Sequence, residues 1–306
     1  MQTITLGTSS LSASRLAYGC WRLNGAPELR AAGKQAVVTA CEAGYTIFDH
    51  ADIYGQGEGE KIFGEVLRDV AGMRERILIV TKAGVRRADD PPGSPYHFNL
   101  SGEHIVRSCE GSLQRLGVET IDLFLLHRAD WLADPAEVAG AFTKLKQSGK
   151  VRFFGVSNFR PTHVTAIQSA CPMPLVAHQV EISLGQLAAF DDGTLDQCLA
   201  VKMTPMAWSP LGGGQFADGP KRLLKYQEGY RTEGVLPLLD ECAKQRGVTR
   251  SAVALAWLLK HPSGIMPIVG STNPRRIREA ARAVEISLSR EEWYRLFTAA
   301  RGVPLP

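Results

Sequence analysis

The sequence contains no long, uncharged apolar segment. The N-terminal stretch MQTITLGTSSLSAS has no apolar core of signal-peptide length, and no later stretch approaches the continuous apolar run that crosses a bilayer. We therefore expect a cytoplasmic protein with no membrane partner.

A strong excess of one charge is also missing. The chain carries 35 basic and 31 acidic residues, which gives a formal net charge of +4. So small an excess argues against a surface that binds nucleic acid or membranes. Heptads and large amphipathic extensions are absent too, so we expect a monomer whose partner is a small molecule.

The sequence also lacks closely spaced cysteine pairs. No CxxC motif occurs, and no His-rich segment accompanies the cysteines. Scattered single cysteines are typical of a chain in a reducing compartment, and we expect no metal site built on them. The six cysteines are Cys20, Cys41, Cys109, Cys171, Cys198 and Cys242.

What the chain does have is a regular alternation of short β-rich runs with helical segments. Between the runs, apolar residues recur at helical spacing, as at Ile105, Cys109 and Leu113. Strands separated by helices favour parallel pairing, and eight such units favour closure into an α/β fold, the (β/α)8 TIM barrel. We expect one domain over residues 1–306. The predicted strands lie near residues 16–20, 46–49, 77–81, 121–126, 152–156, 176–181, 203–208 and 265–269.

Two segments depart from the one-helix repeat. Thr3–Leu6 and the turn that follows it predict one arm of an N-terminal β-hairpin, which would cap the bottom of the barrel. Two helices are predicted between the seventh and eighth strands, around residues 232–246 and 250–260. No linker or low-complexity tract divides the chain, so both segments are additions to one barrel.

Four reactive side chains lie where three consecutive predicted strands end. Asp49 closes the second strand and Tyr54 follows it in the next loop, while Lys82 closes the third strand. His127 closes the fourth. Neighbouring strands are about 4.8 Å apart, and catalytic residues of such barrels cluster at the carboxyl ends of the strands. The four side chains are therefore expected to converge.

The chemistry of these four groups is mutually consistent. Tyr54 has an ordinary pKa of about 10 and needs help to donate a proton near neutral pH. A Lys82 ammonium favours the phenolate, Asp49 would hold that ammonium, and a His127 imidazole can orient a carbonyl. Each residue alone is ordinarily a cap, a solvated charge or a packing residue. All four together predict a site at which Tyr54 and His127 contact a carbonyl substrate.

Seven segments together resemble the aldo-keto reductase superfamily, and they span nearly the whole chain: FDHADIYG, IVTKAG, LLHR, GVSNF, HQVEIS, WSPLGGG and IVGSTNPRRIREA. The resemblance is to bacterial, NADP-dependent oxidoreductases with a short C-terminal tail. It implies reduction of an aldehyde or ketone to an alcohol, with the catalytic tetrad on Asp49, Tyr54, Lys82 and His127 and with Tyr54 as general acid. Because the segment after Trp293 is short, we expect an open pocket with a broad substrate range.

The resemblance also implies a nicotinamide cofactor. Ser157, Asn158 and Gln179 would hydrogen-bond the carboxamide, and Trp208 would stack on the ring where many members carry Tyr. The loop WSPLGGG would let backbone amides approach the pyrophosphate. The implied cofactor-binding residues are Trp21, Asp49, Ser157, Asn158, Gln179, Trp208, Ser209, Leu211, Gly213, Ser271, Arg275, Arg276 and Glu279.

The eighth strand leads into a predicted anion site. Asn273 is suited to cap a helix, and Pro274 is suited to its first turn. A helix that begins there points free amides at the top of the barrel, where Arg275 and Arg276 add positive charge.

The resemblance narrows this anion to the adenosine end of the cofactor. It places Ser271 and Arg276 on the 2′-phosphate and Glu279 beside the adenine, which favours NADP(H) over NAD(H). Two positions depart from the family pattern, since Gly270 stands where many members carry a basic residue and Ala280 stands where an asparagine is expected.

The substrate pocket is defined by fewer residues. Trp21 resembles the aromatic residue that lines the family's substrate site, and we expect Trp131 to join it as an alternative to simple packing on the barrel rim. The turn-rich segment 86–99 follows Lys82 and is expected to be a specificity loop or lid.

Two other functions fit parts of the pattern. His50, Asp52, Lys82, His127 and His178 could be ligands of a metal-dependent barrel hydrolase, although no paired HxH motif supports this. A cofactor-binding regulatory subunit with slow turnover is the second alternative. The intact tetrad favours an enzyme.

Overall fold

The computed structural model describes residues 1–23 and 25–305, apart from the side chains of residues 27 and 28. The chain forms a closed barrel of eight parallel strands, as predicted, in the order β10-β11-β12-β3-β4-β5-β8-β9. Its strands are β1 (Thr3–Thr5), β2 (Ser12–Ser14), β3 (Ala17–Gly19), β4 (Ile47–Asp49), β5 (Leu78–Ala83), β6 (Val85–Arg86), β7 (His97–Phe98), β8 (Ile121–Leu126), β9 (Val151–Ser157), β10 (Leu175–Glu181), β11 (Thr204–Trp208) and β12 (Met266–Val269).

Helices follow the barrel strands and form the outer layer. Their ends follow local capping rules: the Ser101 hydroxyl accepts a hydrogen bond from the His104 amide, and Gly117 ends the same helix in a left-handed conformation. Two helices precede the last strand, as predicted. The helices are α1 (Pro27–Glu42), α2 (Glu58–Asp69), α3 (Gly102–Leu116), α4 (Pro135–Gln147), α5 (Pro161–Ala170), α6 (Ala188–Asp191), α7 (Thr194–Ala200), α8 (Val235–Arg246), α9 (Arg250–Leu259), α10 (Pro274–Ala281) and α11 (Arg290–Arg301).

The apolar core has two layers because each barrel strand is covered on both faces. Ile47, Val80, Leu123 and Met206 belong to one buried cluster formed largely by barrel strands. Two further clusters combine strands with helices, and one of them contains the stacked rings of Trp257 and Trp293. Burial on both faces explains why the strand sequences are continuous apolar runs rather than alternating ones.

The predicted N-terminal hairpin covers the amino ends of the barrel strands. Strand β1 pairs with β2 in an antiparallel ladder. The Gly7 amide donates to the Thr204 hydroxyl at 2.7 Å, and a Cβ atom on Gly7 would lie 2.4 Å from the Val176 carbonyl oxygen. Since Thr204 and Val176 lie at the amino ends of β11 and β10, the hairpin caps the bottom of the barrel.

The opposite face carries longer connections. The segment expected as a loop over 86–99 is a small hairpin, because β6 and β7 pair antiparallel with Val85 opposite Phe98. No helix among the described residues is long and apolar enough to span a membrane.

Candidate active site

A buried ion pair lies at the carboxyl ends of strands β4 and β5. Lys82 on β5 places its Nζ 2.8 Å from both carboxylate oxygens of Asp49 on β4 and 2.5 Å from the His50 carbonyl oxygen. Burial alone lowers the pKa of Lys82, but the charges and hydrogen bonds of Asp49 and Tyr54 together outweigh it and hold the pKa above its ordinary value. Gln179 donates to the same carboxylate at 2.8 Å. Lys82 is therefore a fixed, charged group.

Tyr54 lies directly above this pair. The Lys82 Nζ is 5.0 Å from the centroid of the Tyr54 ring. Burial raises the pKa of Tyr54, whereas the Lys82 charge acts in the opposite direction. Tyr54 thus carries its proton at neutral pH, and the neighbouring ammonium can stabilise the anion that forms when the proton leaves.

A buried carboxylate holds the turn that carries Tyr54. The turn runs from Tyr54 to Gly57 as a 3-10 helix and continues into α2. Glu60 in the first turn of α2 accepts from the Thr81 hydroxyl at 2.6 Å and from Arg115 at 2.7 Å. A Cβ atom on Gly57 would lie 2.6 Å from Arg115, so only glycine fits there. The turn is therefore tied to β5 and α3.

His127 faces Tyr54 across the site. The two rings meet edge to face with centroids 6.0 Å apart. Burial, together with the charges of Lys82 and Arg128, holds the pKa of His127 well below its ordinary value. The imidazole is neutral, and its buried Nδ1 has no hydrogen-bond partner among the described residues.

Asn158 connects three strand ends. Its side-chain amide donates to the His127 carbonyl oxygen at 3.1 Å and to the Ser157 hydroxyl at 2.8 Å, while its oxygen accepts from the Trp208 indole at 2.9 Å. The Trp208 indole thus fixes the orientation of the Asn158 amide. One lone pair of the Asn158 oxygen stays available to a ligand.

A cleft of about 410 Å³ opens above these residues and extends to the ends of β11 and β12. Most of the predicted site residues contribute to its walls. Lys82 lies beneath them, almost fully buried. The predicted residues that line the cleft are Trp21, Asp49, Tyr54, His127, Ser157, Asn158, Gln179, Trp208, Ser209, Leu211, Gly213, Ser271 and Arg276.

The far end of the cleft has the features of an anion site. Asn273 caps α10 as predicted, since its side chain accepts from the Arg276 amide, and Pro274 occupies the first turn. Because this cap occupies the Arg276 amide and Pro274 has no N–H, arginine side chains, among them Arg276, supply positive charge here in addition to the helix N-terminus. The Tyr18 hydroxyl donates to the Ser271 carbonyl at 2.9 Å and supports this end.

The segment of residues 209–230, hereafter the strap, borders the cleft. Glu181 at the end of β10 accepts hydrogen bonds from Tyr226, Gln227 and Tyr230. Gln227 also donates to the Ser209 hydroxyl at 2.9 Å. One carboxylate and one amide therefore hold the strap against the barrel.

Besides the buried Lys82, three predicted site residues lie outside the cleft lining. Arg275 is 85% exposed and pairs with Glu279 at 2.7 Å, so neither side chain reaches the cleft wall. The Trp131 side chain is also exposed and packs 6.0 Å from Phe98 on the small hairpin. Trp131 thus packs on the barrel rim, which was the alternative to a place in the substrate pocket.

The sequence reasoning missed several cleft residues. Arg22 and Arg128 line the cleft directly after the predicted residues Trp21 and His127, so their positions after strand ends were a usable signal. Arg222 and Gln227 also line it, but they lie in the strap, which has no periodic pattern.

The proposed metal ligands do not form a metal site. Within residues 1–23 and 25–305, no group of three or more His, Cys, Asp or Glu side chains is placed to hold a metal ion. His50 and His178 are buried, and neither ring has a hydrogen-bond partner among the residues described.

Comparisons with known proteins agree on one family. A sequence model of the Aldo/keto reductase family matches residues 15–300. The chain is 41% identical to the "Uncharacterized oxidoreductase YcsN" of Bacillus subtilis over the full length of both chains. It is 40% identical to a "6-dehydroglucose reductase" of Agrobacterium fabrum, with 99% of each chain covered. The crystal structure of the thermostable aldo-keto reductase Tm1743 superposes with a TM-score of 0.83 at 27% identity, covering 98% of this chain and 100% of that one.

Proposed function

Because the chain belongs to the aldo/keto reductase family, we propose that it is an oxidoreductase that uses NADP(H) to reduce an aldehyde or ketone to an alcohol. One observation carries the proposal: Tyr54 lies over the buried Asp49–Lys82 pair and faces a neutral His127 at one end of a long cleft. A proton donor, a cation and a neutral hydrogen-bonding ring are the groups that carbonyl reduction needs.

The cleft residues fit a nicotinamide dinucleotide. The Asn158 oxygen keeps a free lone pair beside Trp208, and Gly213 lines the cleft without a side chain that would cover its backbone. Arg276 and Arg222 line the phosphate end, and no carboxylate of the described residues pairs with either. Ser157, Asn158 and Gln179 would hold the carboxamide, Trp208 the ring, and Arg276 the 2′-phosphate.

The residues divide the reaction among them. When bound, the cofactor supplies the hydride that adds to the carbonyl carbon. Tyr54 donates its proton to the carbonyl oxygen, which becomes the hydroxyl of the alcohol. Lys82 stabilises the phenolate charge left on Tyr54, and Asp49 keeps Lys82 in place. His127 donates an N–H to the carbonyl oxygen and so orients the substrate.

A direct test measures turnover and cofactor binding together. We expect the purified protein to oxidise NADPH in the presence of a small aldehyde, and the sugar aldehyde named for the Agrobacterium relative is a suitable first substrate. A regulatory subunit would instead bind NADPH and turn over no faster than the Tyr54→Phe variant.

Cofactor preference is tested at Arg276. Replacing Arg276 with Met removes the charge beside the 2′-phosphate and is expected to raise the NADPH dissociation constant about 10- to 100-fold, because a charge-assisted hydrogen bond contributes about 1.5–3 kcal/mol. NADH binding should change little. Arg275→Met is the matched control, since that side chain lies outside the cleft. Equal losses for both cofactors would contradict the assignment of the 2′-phosphate.

A further inference from the structure

Arg128 is a cleft residue whose side chain has no polar partner. It follows His127, is half-buried and lines the cleft, and its guanidinium carbon lies 5.9 Å from the centroid of the Trp208 ring. No hydrogen bond or ion pair within the described part of the chain uses this side chain. A guanidinium carries five N–H donors and no acceptor, so a partly buried one needs oxygen atoms around it.

The nearby carboxylates are already occupied. Glu181, whose register partner is Trp208, accepts from three donors of the strap. Asp130 accepts from the Leu100 amide at 2.9 Å and from the Leu132 amide at 3.0 Å. Neither group pairs with Arg128, and the cleft wall beside His127 keeps an uncompensated positive charge.

The position of Arg128 separates it from the anion end of the cleft. Arg128 follows β8, whereas Arg276 follows β12, and four steps around the eight-stranded barrel separate these two strands in either direction. The phosphate groups of a cofactor held at Arg276 would therefore lie across the barrel from Arg128. Arg128 lines the part of the cleft beside its chain neighbour His127, where the carbonyl compound would bind.

We propose that Arg128 is a substrate-binding residue that selects polyhydroxylated aldehydes, because hydroxyl oxygens can accept from the several N–H donors that it leaves unpaired. The inference rests on the proposed function for the position of the carbonyl group. Hydroxyls fit better than a phosphate, since Arg128 is a single cation beside an indole face and has no helix N-terminus to assist it. An aliphatic aldehyde would cover these donors without giving them acceptors, which is costly.

The test compares D-glyceraldehyde with propanal, which has the same carbon chain without the two hydroxyls. We expect the wild-type kcat/KM to favour D-glyceraldehyde by about 10- to 100-fold, as a charge-assisted hydrogen bond predicts. Arg128→Met should remove this preference by lowering the kcat/KM for D-glyceraldehyde and raising that for propanal, because propanal no longer covers unpaired donors, and the NADPH dissociation constant should stay within about threefold. Arg160→Met is the control, because Arg160 is exposed on the same barrel face and outside the cleft lining.

Three results would overturn the proposal: no wild-type preference for D-glyceraldehyde, equal losses for both aldehydes in Arg128→Met, or weakened NADPH binding as the main defect. A much higher kcat/KM for D-glyceraldehyde 3-phosphate that depends on Arg128 would replace the hydroxyl site by an anion site.

A second experiment measures binding and needs no turnover. Xylitol should bind the NADP⁺-loaded protein with a lower dissociation constant than 1-pentanol, as measured by the quenching of tryptophan fluorescence. Arg128→Met should abolish this difference. If xylitol binds in this way but no carbonyl compound is reduced, the proposed function fails and the role of Arg128 stands.

Discussion

At the scale of single residues, the buried Lys82–Asp49 pair is the costliest feature of the site to disturb. Both side chains are almost fully excluded from water, and Lys82 makes three short hydrogen bonds. Taking two charges out of water is repaid only while each compensates the other. The pair is therefore stable only as long as both partners are present.

Replacing Lys82 with Met should destabilise the protein by about 3–5 kcal/mol, because it leaves the Asp49 carboxylate buried without a counter-charge. Urea unfolding measures the change. The double variant Asp49→Asn/Lys82→Met is the control and should recover part of the loss, since it buries no charge. A single variant as stable as the double variant would show that the pair is not electrostatically coupled.

Residue-level reasoning from the sequence predicted that four strand-end side chains converge but missed three arginines that line the cleft, Arg22, Arg128 and Arg222. Asp49, Lys82 and His127 were predictable because strand ends place them on one face. Arg128 was not, since exposed-looking arginines after a strand are ordinarily solvated charges and only the structure gives the contacts of Asp130 and Glu181 that leave it unpaired.

The neighbouring pair Arg275 and Arg276 shows a second limit. Successive helical residues point about 100° apart, as 3.6 residues per turn require. Only one of the two side chains could therefore face the cleft, and the sequence did not indicate which one. The ion pair to Glu279 decides that Arg275 turns away.

At the scale of secondary-structure elements, the barrel strands were predictable and the strap was not. Continuous β-rich runs separated by helical spacing specify β3 to β5 and β8 to β12 almost to the residue. The strap has no such period. Hydrogen bonds of Glu181 and Gln227 hold the strap in position. The residues that form these bonds come together only when the barrel has closed.

The N-terminal hairpin depends on one buried cation. Arg15 donates to the carbonyl oxygens of Gly264 at 3.1 Å, Ile265 at 2.5 Å and Leu259 at 3.1 Å. No carboxylate pairs with it among the described residues, and burial lowers its pKa to about 10. Backbone carbonyls before β12 thus replace a counter-ion.

Arg15→Met should lower the free energy of unfolding by about 3 kcal/mol, because it leaves buried carbonyl groups without donors. Arg15→Lys should restore part of this stability, since an ammonium reaches fewer carbonyls than a guanidinium. The NADPH dissociation constant should not change, because the hairpin lies at the opposite end of the barrel from the cleft. Loss of cofactor binding in a folded Arg15→Met protein would contradict this separation.

At the scale of the whole molecule, the barrel buries histidines that remain uncharged. Burial lowers the pKa of His50 to about 3 and those of His104 and His178 to about 4. The unfolded chain titrates these groups near their ordinary value of about 6.5. Below that pH the unfolded state binds more protons, so their contribution to stability is lost as the pH falls.

The protonation of one carboxyl group has the opposite effect on the free energy of unfolding. Burial, together with the charge of Glu60, raises the pKa of Asp52 to about 7. The folded state therefore keeps a proton that the unfolded state releases above about pH 4, which favours folding at lower pH. The buried histidines outweigh this single group.

His127 is buried and neutral as well, so unfolding takes up protons on four histidines and releases one from Asp52. The free energy of unfolding should therefore fall by about 3–4 kcal/mol per pH unit below pH 6, given about 1.4 kcal/mol for each proton. Urea unfolding at pH 7.5, 6 and 5 measures the slope. His178→Gln removes one of the titrating groups and should make the slope shallower by about one proton. A stability that does not change between pH 6 and 5 would contradict the burial of neutral histidines.

The central claim is that this barrel transfers hydride to a carbonyl carbon while Tyr54 supplies the proton. The most direct measurement is a single turnover of the protein loaded with NADPH that is deuterated at the transferable position, with mass spectrometry of the alcohol formed from D-glyceraldehyde. We predict deuterium on the carbinol carbon for the wild-type protein and a rate about 10²- to 10⁴-fold lower for Tyr54→Phe, because a positioned general acid contributes that much. An alcohol without deuterium, or an unchanged rate in Tyr54→Phe, would contradict the account.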